Sequence, residues 1–236
     1  YLLIIISAFT GSGLLKADAS GKHLFILSGQ SNMARFKPEL WFTPGINDAL
    51  GEDNVIVSFY AQGGQAISKW YREWKSSKGE TDPDAGKIYG AMMKATKGRI
   101  EGEKIGSVTF IWMQGERDAK MRWGKVYAAS LKGLHKQLSK DLGREDVNFV
   151  IGRLSDFDMK NSRYPHWTMV REEQVKVAKS SKRFSWVNTD DLNDGLNRRG
   201  KKIANDLHYS AEGYKMLGKR FAAKALNLIK NKPAKK

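Results

Sequence analysis

The chain has 236 residues, of which 41% are hydrophobic and 11% aromatic, enough to bury one sizeable core without requiring a second domain. It carries a formal net charge of +16 and contains no cysteine, which excludes disulfides, thiol catalysis and cysteine metal sites. So basic a surface attracts polyanions. However, Lys and Arg are spread along the chain and no nucleic-acid-binding motif appears. No nucleic-acid partner is therefore expected, and an acidic or sulfated polysaccharide or an anionic cell surface fits the charge better.

The first 19 residues have the features of a signal peptide. Residues 1–15 are apolar and rich in Ile and Leu, and the Ala17-x-Ala19 pattern that follows suits signal peptidase. The charged start of such a peptide is missing. We expect a signal peptide over 1–19, a single domain over 20–230 and a frayed basic tail over 231–236. The protein is then secreted or periplasmic, without a transmembrane segment, since no later stretch reaches the ~20 apolar residues that a span needs.

The first predicted strand ends in a cluster of small polar residues. The apolar run Leu24–Leu27 breaks into Ser28-Gly29-Gln30-Ser31-Asn32, which cannot continue a buried strand. With a helix beginning near Asn32, Ser31 stands at the carboxyl end of a strand, where open α/β sheets bind their ligands. Ser31 is the first candidate nucleophile.

Four more strands and four helices are predicted along the chain. The strands are Asn54–Tyr60, Ser107–Met113, Val147–Arg153 and Phe184–Asn188, and the helices are Lys87–Ile100, Lys120–Leu142, Trp167–Lys179 and Ala211–Ile229. Strands that alternate with helices indicate a parallel α/β sheet of about five strands.

Three features outside the predicted sheet are interpreted as a loop, a solvated side chain and a turn. Phe36–Gly51 is punctuated by prolines and is predicted to be a loop, whose Trp41 and Phe42 either line a sugar site or cap the core. His135 lies among lysines on its helix and is predicted to be solvated. The cluster around Asp190 and Asp191 is typical of a turn, and no metal site is expected there.

Polar residues follow three successive strands at one edge of the predicted sheet. Gly63-Gly64 follows the second strand, where it either lets backbone approach a ligand or forms a simple turn. Gln114 and Glu116 follow the third strand. Serine hydrolysis needs a base, a carboxylate that orients it, and donors aimed at an oxyanion. His208 and Asp206, before the last helix, supply the first two, and N–H groups of Ser31, Gly63 or Gly64 and the Gln114 amide could supply the donors.

These motifs resemble the SGNH (GDSL-like) hydrolases. More narrowly, they resemble the branch with sialate O-acetylesterases and the acetylxylan esterases of carbohydrate esterase family six. The resemblance spans Lys22 to Leu228, and four ordered motifs together make a strong signal. The motifs are Gly29-Gln30-Ser31-Asn32-Met33, Gly63-Gly64 followed by Ile67 and Trp70, Trp112-x-Gln114-Gly115-Glu116-x-Asp118, and Asp206-Leu207-His208 followed by Gly213-Tyr214 and Gly218.

The resemblance implies a three-layer α/β/α flavodoxin-like sandwich and deacetylation of a carbohydrate without metal or cofactor. Ser31 would be the nucleophile and His208 the base. Ser31 N–H, a glycine of Gly63-Gly64 and Gln114 would form the oxyanion hole. The serine motif is not Gly-x-Ser-x-Gly, so the nucleophile elbow of the α/β-hydrolases is a poor match.

One position departs from the family pattern. The family usually places an aspartate three residues before the histidine, and that position is Asn205 here, with Asp206 only two residues before. Asn cannot carry the charge that stabilises an imidazolium. We favour Asp206 as the orienting carboxylate, with Glu116 as the competitor. A structural role for Glu116 and Asp118, through salt bridges with Arg117 or Arg35 that fix loops, is an equal alternative.

The leading hypothesis is an exported serine esterase that removes O-acetyl groups from a polysaccharide or sialylated glycan through an acetyl-enzyme intermediate. The alternatives are a carbohydrate-binding protein that retains the fold without turnover, a lipid or aryl ester hydrolase, and, least favoured, a basic nucleic-acid binder.

Overall fold

The computed structural model describes residues 21–231. Five parallel strands form one sheet in the order β2-β1-β3-β4-β5. They are β1 (Lys22–Gly29), β2 (Val55–Ala61), β3 (Ile105–Met113), β4 (Asn148–Gly152) and β5 (Phe184–Val187). The central strands β1, β3 and β4 are buried almost throughout, because helices cover both faces of a parallel sheet.

The strand order reverses between β1 and β3. The chain leaves β1 towards β2 at one edge and later returns to add β3 on the other side. Two loops that leave the sheet in opposite directions open a crevice at the carboxyl ends of the strands, where ligands bind in this type of sheet. Ser31 follows β1 and Gln114 follows β3, so both flank this crevice.

The helices form the two outer layers. They are α1 (Ser31–Ala34), α2 (Pro38–Trp41), α3 (Thr43–Leu50), α4 (Lys87–Ile100), α5 (Glu116–Lys120), α6 (Gly124–Asp141), α7 (Trp167–Ala178) and α8 (Ala211–Lys230). Helix α8 packs against α2, α3, β4 and β5, whereas α7 packs against α6, β4 and β5. The Ser210 hydroxyl caps α8 by accepting the Gly213 N–H at 2.9 Å, which fixes the helix start directly after the loop that carries His208.

An antiparallel hairpin of two short strands, β6 (Gly195–Leu196) and β7 (Lys202–Ile203), lies between β5 and α8. None of the helices in residues 21–231 is both long and apolar enough to cross a membrane. The predicted signal peptide over 1–19 and, apart from Asn231, the predicted tail lie outside the described residues.

The predicted loop over Phe36–Gly51 is wrong, since the segment forms α2 and α3. Pro38 and Pro44 stand at the first turns of these helices, where a missing N–H costs nothing. Phe42 is fully buried with its ring 5.5 Å from that of Phe25, and Trp41 stacks on Tyr214 at 5.7 Å. Both aromatics therefore belong to the packing between layers.

The prediction of a solvated His135 is also wrong. Its ring lies between Phe149 and Phe184, with centroids at 5.5 and 4.6 Å, and Nε2 is 2.9 Å from the Val147 carbonyl oxygen. Burial lowers the pKa of His135, so this histidine is a neutral packing residue.

Candidate active site

Ser31 and His208 meet at the carboxyl edge of the sheet although 177 residues separate them. The Ser31 Oγ lies 3.1 Å from His208 Nε2, within hydrogen-bonding distance. Ser31 begins α1 directly after β1 turns out of the sheet at Gly29 and Gln30. Gly29 has φ +151°, and a Cβ there would lie 2.0 Å from the Met113 carbonyl oxygen, so only glycine allows β1 to approach β3 this closely.

The environment of His208 favours its neutral, proton-accepting form. Burial lowers the pKa of His208, and the positive charge of Arg35 lowers it further, whereas Asp206 opposes them. An imidazole that stays neutral near pH 7 can accept the proton of the Ser31 hydroxyl. The pair therefore has both the contact and the protonation state that nucleophilic activation requires.

Asp206 is the carboxylate next to the His208 ring. Its Oδ1 accepts the His208 backbone N–H at 2.8 Å and lies 3.8 Å from His208 Nδ1. The second distance exceeds a hydrogen bond but lies within ion-pair range, and catalytic hydrogen bonds are often long before substrate binds. The structure thus brings Asp206 to the ring edge opposite Ser31, as a triad requires.

Asn205, at the position where the family usually has aspartate, points away from the ring. Its backbone is left-handed, with φ +44°. Its side-chain amide donates to the Phe157 carbonyl at 3.1 Å, and its backbone N–H donates to Asp194 at 2.6 Å. A side chain held in this direction supports the loop and does not reach His208.

Glu116 lies buried beneath the Ser31 turn. Its Oε1 accepts the Asn32 amide at 3.0 Å, and the same amide donates to the Leu207 carbonyl at 3.1 Å. The Tyr214 hydroxyl donates to Asn32 Oδ1 at 3.1 Å. Asn32 therefore connects the start of α1 to α5, α8 and the residue before His208. Glu116 acts on the histidine loop through this network, whereas the ring itself has Asp206 beside it.

Glu116 and Asp118 form a pair of buried acids with perturbed protonation. Burial raises the pKa of both Glu116 and Asp118 to about 7. Asp118 Oδ2 accepts the Ile67 N–H at 2.9 Å. Neither acid forms a salt bridge with Arg117 or Arg35 in the described part of the chain. The loop-fixing role is therefore carried by hydrogen bonds rather than by the ion pairs that the sequence suggested.

Backbone donors for an oxyanion come from Ser31 and the glycine pair. Gly63 lies against Ser31, since a Cβ on Gly63 would be 3.6 Å from the Ser31 Cβ. Within residues 21–231, no acceptor takes the N–H of Ser31 or Gly63. Gly64 has φ +73° and no neighbour within 4 Å of an added Cβ, and within residues 21–231 its N–H has no acceptor either, so it stays a predicted donor. Two free N–H groups beside the nucleophile are suited to an oxyanion.

The Gln114 amide is not free to join them. Gln114 is fully buried, and its Nε2 donates to Asp118 Oδ2 at 2.5 Å, the Gln65 carbonyl at 3.0 Å and Gln30 Oε1 at 3.2 Å. Three acceptors already use its two N–H bonds. The structure therefore corrects the expectation of a Gln114 oxyanion donor and makes this residue a scaffold for the Ser31 and Gly63 turns.

The family comparison shows what kind of protein carries this site. Residues 35–227, most of the chain, match the family described as carbohydrate esterase, sialic acid-specific acetylesterase. The chain belongs to this family. No curated protein sequence is significantly similar to it.

Solved structures share the fold at low sequence identity. A protein from Arabidopsis thaliana superposes with a TM-score of 0.64 and 19% identity, covering 89% of this chain and 99% of that one. A carbohydrate acetylesterase from Xanthomonas citri superposes with a TM-score of 0.61 and 14% identity, covering 88% of this chain and 56% of that one. A lipase/acylhydrolase from Enterococcus faecalis superposes with a TM-score of 0.52 and 14% identity, covering 91% of this chain and 100% of that one. The predicted SGNH-type fold and the family resemblance are confirmed.

Proposed function

We propose that this member of the carbohydrate esterase family removes O-acetyl groups from a carbohydrate through an acetyl-enzyme intermediate on Ser31. The observation that carries the proposal is the 3.1 Å contact between Ser31 Oγ and His208 Nε2 at the carboxyl edge of the sheet. Family membership supports ester hydrolysis, and the two unpaired N–H groups beside Ser31 support acyl transfer.

The geometry is suited to a two-step reaction. Ser31 Oγ attacks the acetyl carbonyl while His208 Nε2 takes its proton, and the N–H groups of Ser31 and Gly63 stabilise the oxyanion of the tetrahedral intermediate. His208 then gives the proton to the departing sugar oxygen, which leaves acetyl-Ser31. A water molecule, deprotonated by His208, attacks this ester and releases acetate. Asp206 orients the ring and stabilises the imidazolium in both steps.

The substrate that we propose is an acetylated polysaccharide or sialylated glycan outside the cytoplasm. The net charge of +16 and the signal-peptide pattern of the first 19 residues support an acidic substrate and export.

The test is acetate release from acetylated glycans, together with hydrolysis of p-nitrophenyl acetate, by the wild type and by Ser31→Ala. We expect Ser31→Ala to lose at least about 10³-fold in kcat on both. A Ser31→Ala variant with undiminished activity would sink the mechanism. A wild type that is inert on every ester but binds glycans would favour the carbohydrate-binding alternative instead.

A further inference from the structure

A cavity walled by arginines lies beside the Ser31–His208 pair. It has a volume of about 380 Å³, and its lining comprises Arg35, Asn197, Arg198, Arg199, Tyr209 and Tyr214. Arg35 follows Ser31 by one helical turn, and its N–H donates to the Ser31 carbonyl at 3.0 Å. Tyr209 directly follows His208. Neither Ser31 nor His208 lines the cavity, but the Arg35 charge is close enough to His208 to lower the pKa of that ring. The cavity is therefore near the candidate nucleophile and distinct from the turn that would hold the oxyanion.

The three arginines of this cavity have exposed side chains and no carboxylate partner in the part of the chain that the structure describes. Every ion pair found among residues 21–231 omits Arg35, Arg198 and Arg199. Five other arginines do form ion pairs; for example, Arg171 pairs with Asp190 at 2.7 Å. Like charges gathered in one concave site repel each other, and a bound anion relieves that repulsion.

The hairpin that carries two of these arginines has a defined turn. Asn197 Oδ1 accepts the N–H groups of Arg199 and Lys201 at 2.9 and 3.1 Å. The Asn197 N–H donates to the Lys201 carbonyl at 2.8 Å, and Gly200 takes a left-handed φ of +74°. The Arg198 guanidinium lies 5.5 Å from the Tyr214 ring centroid. The backbone that carries both arginines is therefore ordered before any ligand arrives, so that binding has to order only their side chains.

We propose that this cavity is a subsite for an anionic group, a carboxylate or a sulfate, on the glycan whose acetyl ester lies at Ser31. Guanidinium forks match the paired oxygens of either group. The volume is in the range of small-ligand sites, which begin at roughly 300 Å³. The placement of the ester rests on the proposed function, whereas the binding of the anion does not.

The first test compares acetate release from singly O-acetylated methyl glycosides of glucose, glucuronate and sulfated glucose. We expect wild type to prefer at least one anionic glycoside by about tenfold or more in kcat/KM, and the preferred one tells carboxylate from sulfate. The Arg198→Ala/Arg199→Ala variant should lose that preference. Lys201→Ala/Lys202→Ala removes the same charge from the same hairpin without touching the cavity, and should keep it. Equal turnover of all three glycosides by wild type, or equal loss in both double variants, overturns the subsite.

The second test measures binding without turnover. Ser31→Ala is titrated with methyl glucuronoside and with sulfated methyl glucoside, neither of them acetylated, and Kd is measured by calorimetry or NMR. We expect binding that weakens at least about tenfold when Arg198 and Arg199 are also replaced by alanine. If neither anion binds, or if binding ignores the arginines, the subsite is wrong. If no glycoside releases acetate, the proposed function is wrong but the subsite is not yet tested by turnover. The binding titration then decides whether the subsite exists.

Discussion

At the scale of single residues, the question is which carboxylate assists His208. Asp206 lies 3.8 Å from the ring Nδ1 and also closes its own loop by accepting the His208 N–H, whereas Glu116 is bonded to Asn32. An asparagine at 206 can still accept that N–H but carries no charge. Asp206→Asn should therefore keep the fold and lower kcat by about 10²-fold or more, because the imidazolium loses its stabilising charge.

Two matched variants control this prediction, measured by steady-state kinetics on one acetyl ester. Glu116→Gln removes the competing carboxylate and should lower kcat much less than Asp206→Asn does. Asn205→Asp restores the aspartate usual in the family, but the side chain at 205 faces the Phe157 carbonyl, so activity should not rise. A larger loss in Glu116→Gln than in Asp206→Asn would transfer the orienting role to Glu116.

Arg35 gives a second prediction, on pH. His208 must be neutral to act as base, so activity falls as pH drops below its pKa. Burial and then Arg35 lower the pKa of His208. Arg35→Gln removes the second of these influences, so the pKa of His208 should rise and the acid limb of kcat/KM should move to higher pH. The limb is measured on neutral p-nitrophenyl acetate, with Lys201→Ala as the control; a limb that stays in place or moves down contradicts the electrostatic argument.

The sequence predicted the residues whose position follows from strand ends. Ser31, Gly63 and His208 lie together at one sheet edge because parallel strands end there and because His208 precedes the last helix. Asn32 and the direction of Gln114 could not be predicted in this way. Each depends on partners from several elements: Asn32 contacts Glu116, Leu207 and Tyr214, and a buried amide turns towards whichever acceptors the packing supplies.

At the scale of elements, the approach of α8 to α2 depends on one glycine. A Cβ on Gly218 would lie 2.1 Å from the Trp41 carbonyl oxygen, and this oxygen is backbone and cannot rotate away. Gly218→Ala should therefore destabilise the protein by about 1–3 kcal/mol through overpacking, although alanine is the better helix former.

The matched control is Gly90→Ala, an exposed helical glycine on α4 whose added Cβ would meet nothing within 4 Å. It should stabilise the protein by about 0.5–1 kcal/mol. The free energy of unfolding of both variants and of wild type is measured by urea denaturation. Equal effects of the two substitutions would show that α8 can shift away from α2 at no cost.

Periodicity predicted two long helices well, since those over Lys87–Ile100 and Ala211–Lys230 each bury a face of apolar residues. The start of the helix predicted over Lys120–Leu142 is wrong, because α5 ends at Lys120 and α6 begins only at Gly124. Periodicity failed for the short elements. Helices α2 and α3 are too short for a period to stand out, and their prolines look like loop residues unless the first turn is recognised. The β6–β7 hairpin has two residues per strand, below what alternation can show.

At the scale of the whole molecule, the parallel sheet and the burial of its central strands follow from the alternation of strands and helices. The order of the strands and the protonation of the interior do not. Glu116 and Asp118 enter the core without an ion-pair partner among residues 21–231. Burial holds the pKa of each at about 7, well above the ordinary values near 4 for carboxyl groups. The core is therefore built around two acids that retain protons which the unfolded chain has released.

This gives a prediction for stability against pH. Below about pH 3 both acids are protonated in the folded and the unfolded state, and their burial costs no proton-linked stability. As pH rises towards 7, the unfolded chain releases these protons first, so the free energy of unfolding falls by at most ~1.4 kcal/mol per pH unit for each acid. Above pH 7 the folded acids ionise too, and the loss is complete. Glutamine at 116 resembles the protonated acid and does not titrate, so Glu116→Gln should lose less stability than wild type between pH 5 and 8.

The comparison must be made as a difference between variant and wild type, because histidines act in the opposite direction over part of the same range. Burial lowers the pKa of His135, His166 and His208, so their contribution to stability grows as pH rises through about 6.5. These histidines are common to both proteins and cancel. The free energy of unfolding is measured with urea at pH 5, 6, 7 and 8. The value for Glu116→Gln minus that for wild type should increase by about 1–3 kcal/mol from pH 5 to pH 8. The exposed Glu101→Gln should run parallel to wild type. A constant difference for Glu116→Gln would mean that Glu116 is ionised in the folded protein throughout, and that the buried network around Asn32 is anionic rather than protonated.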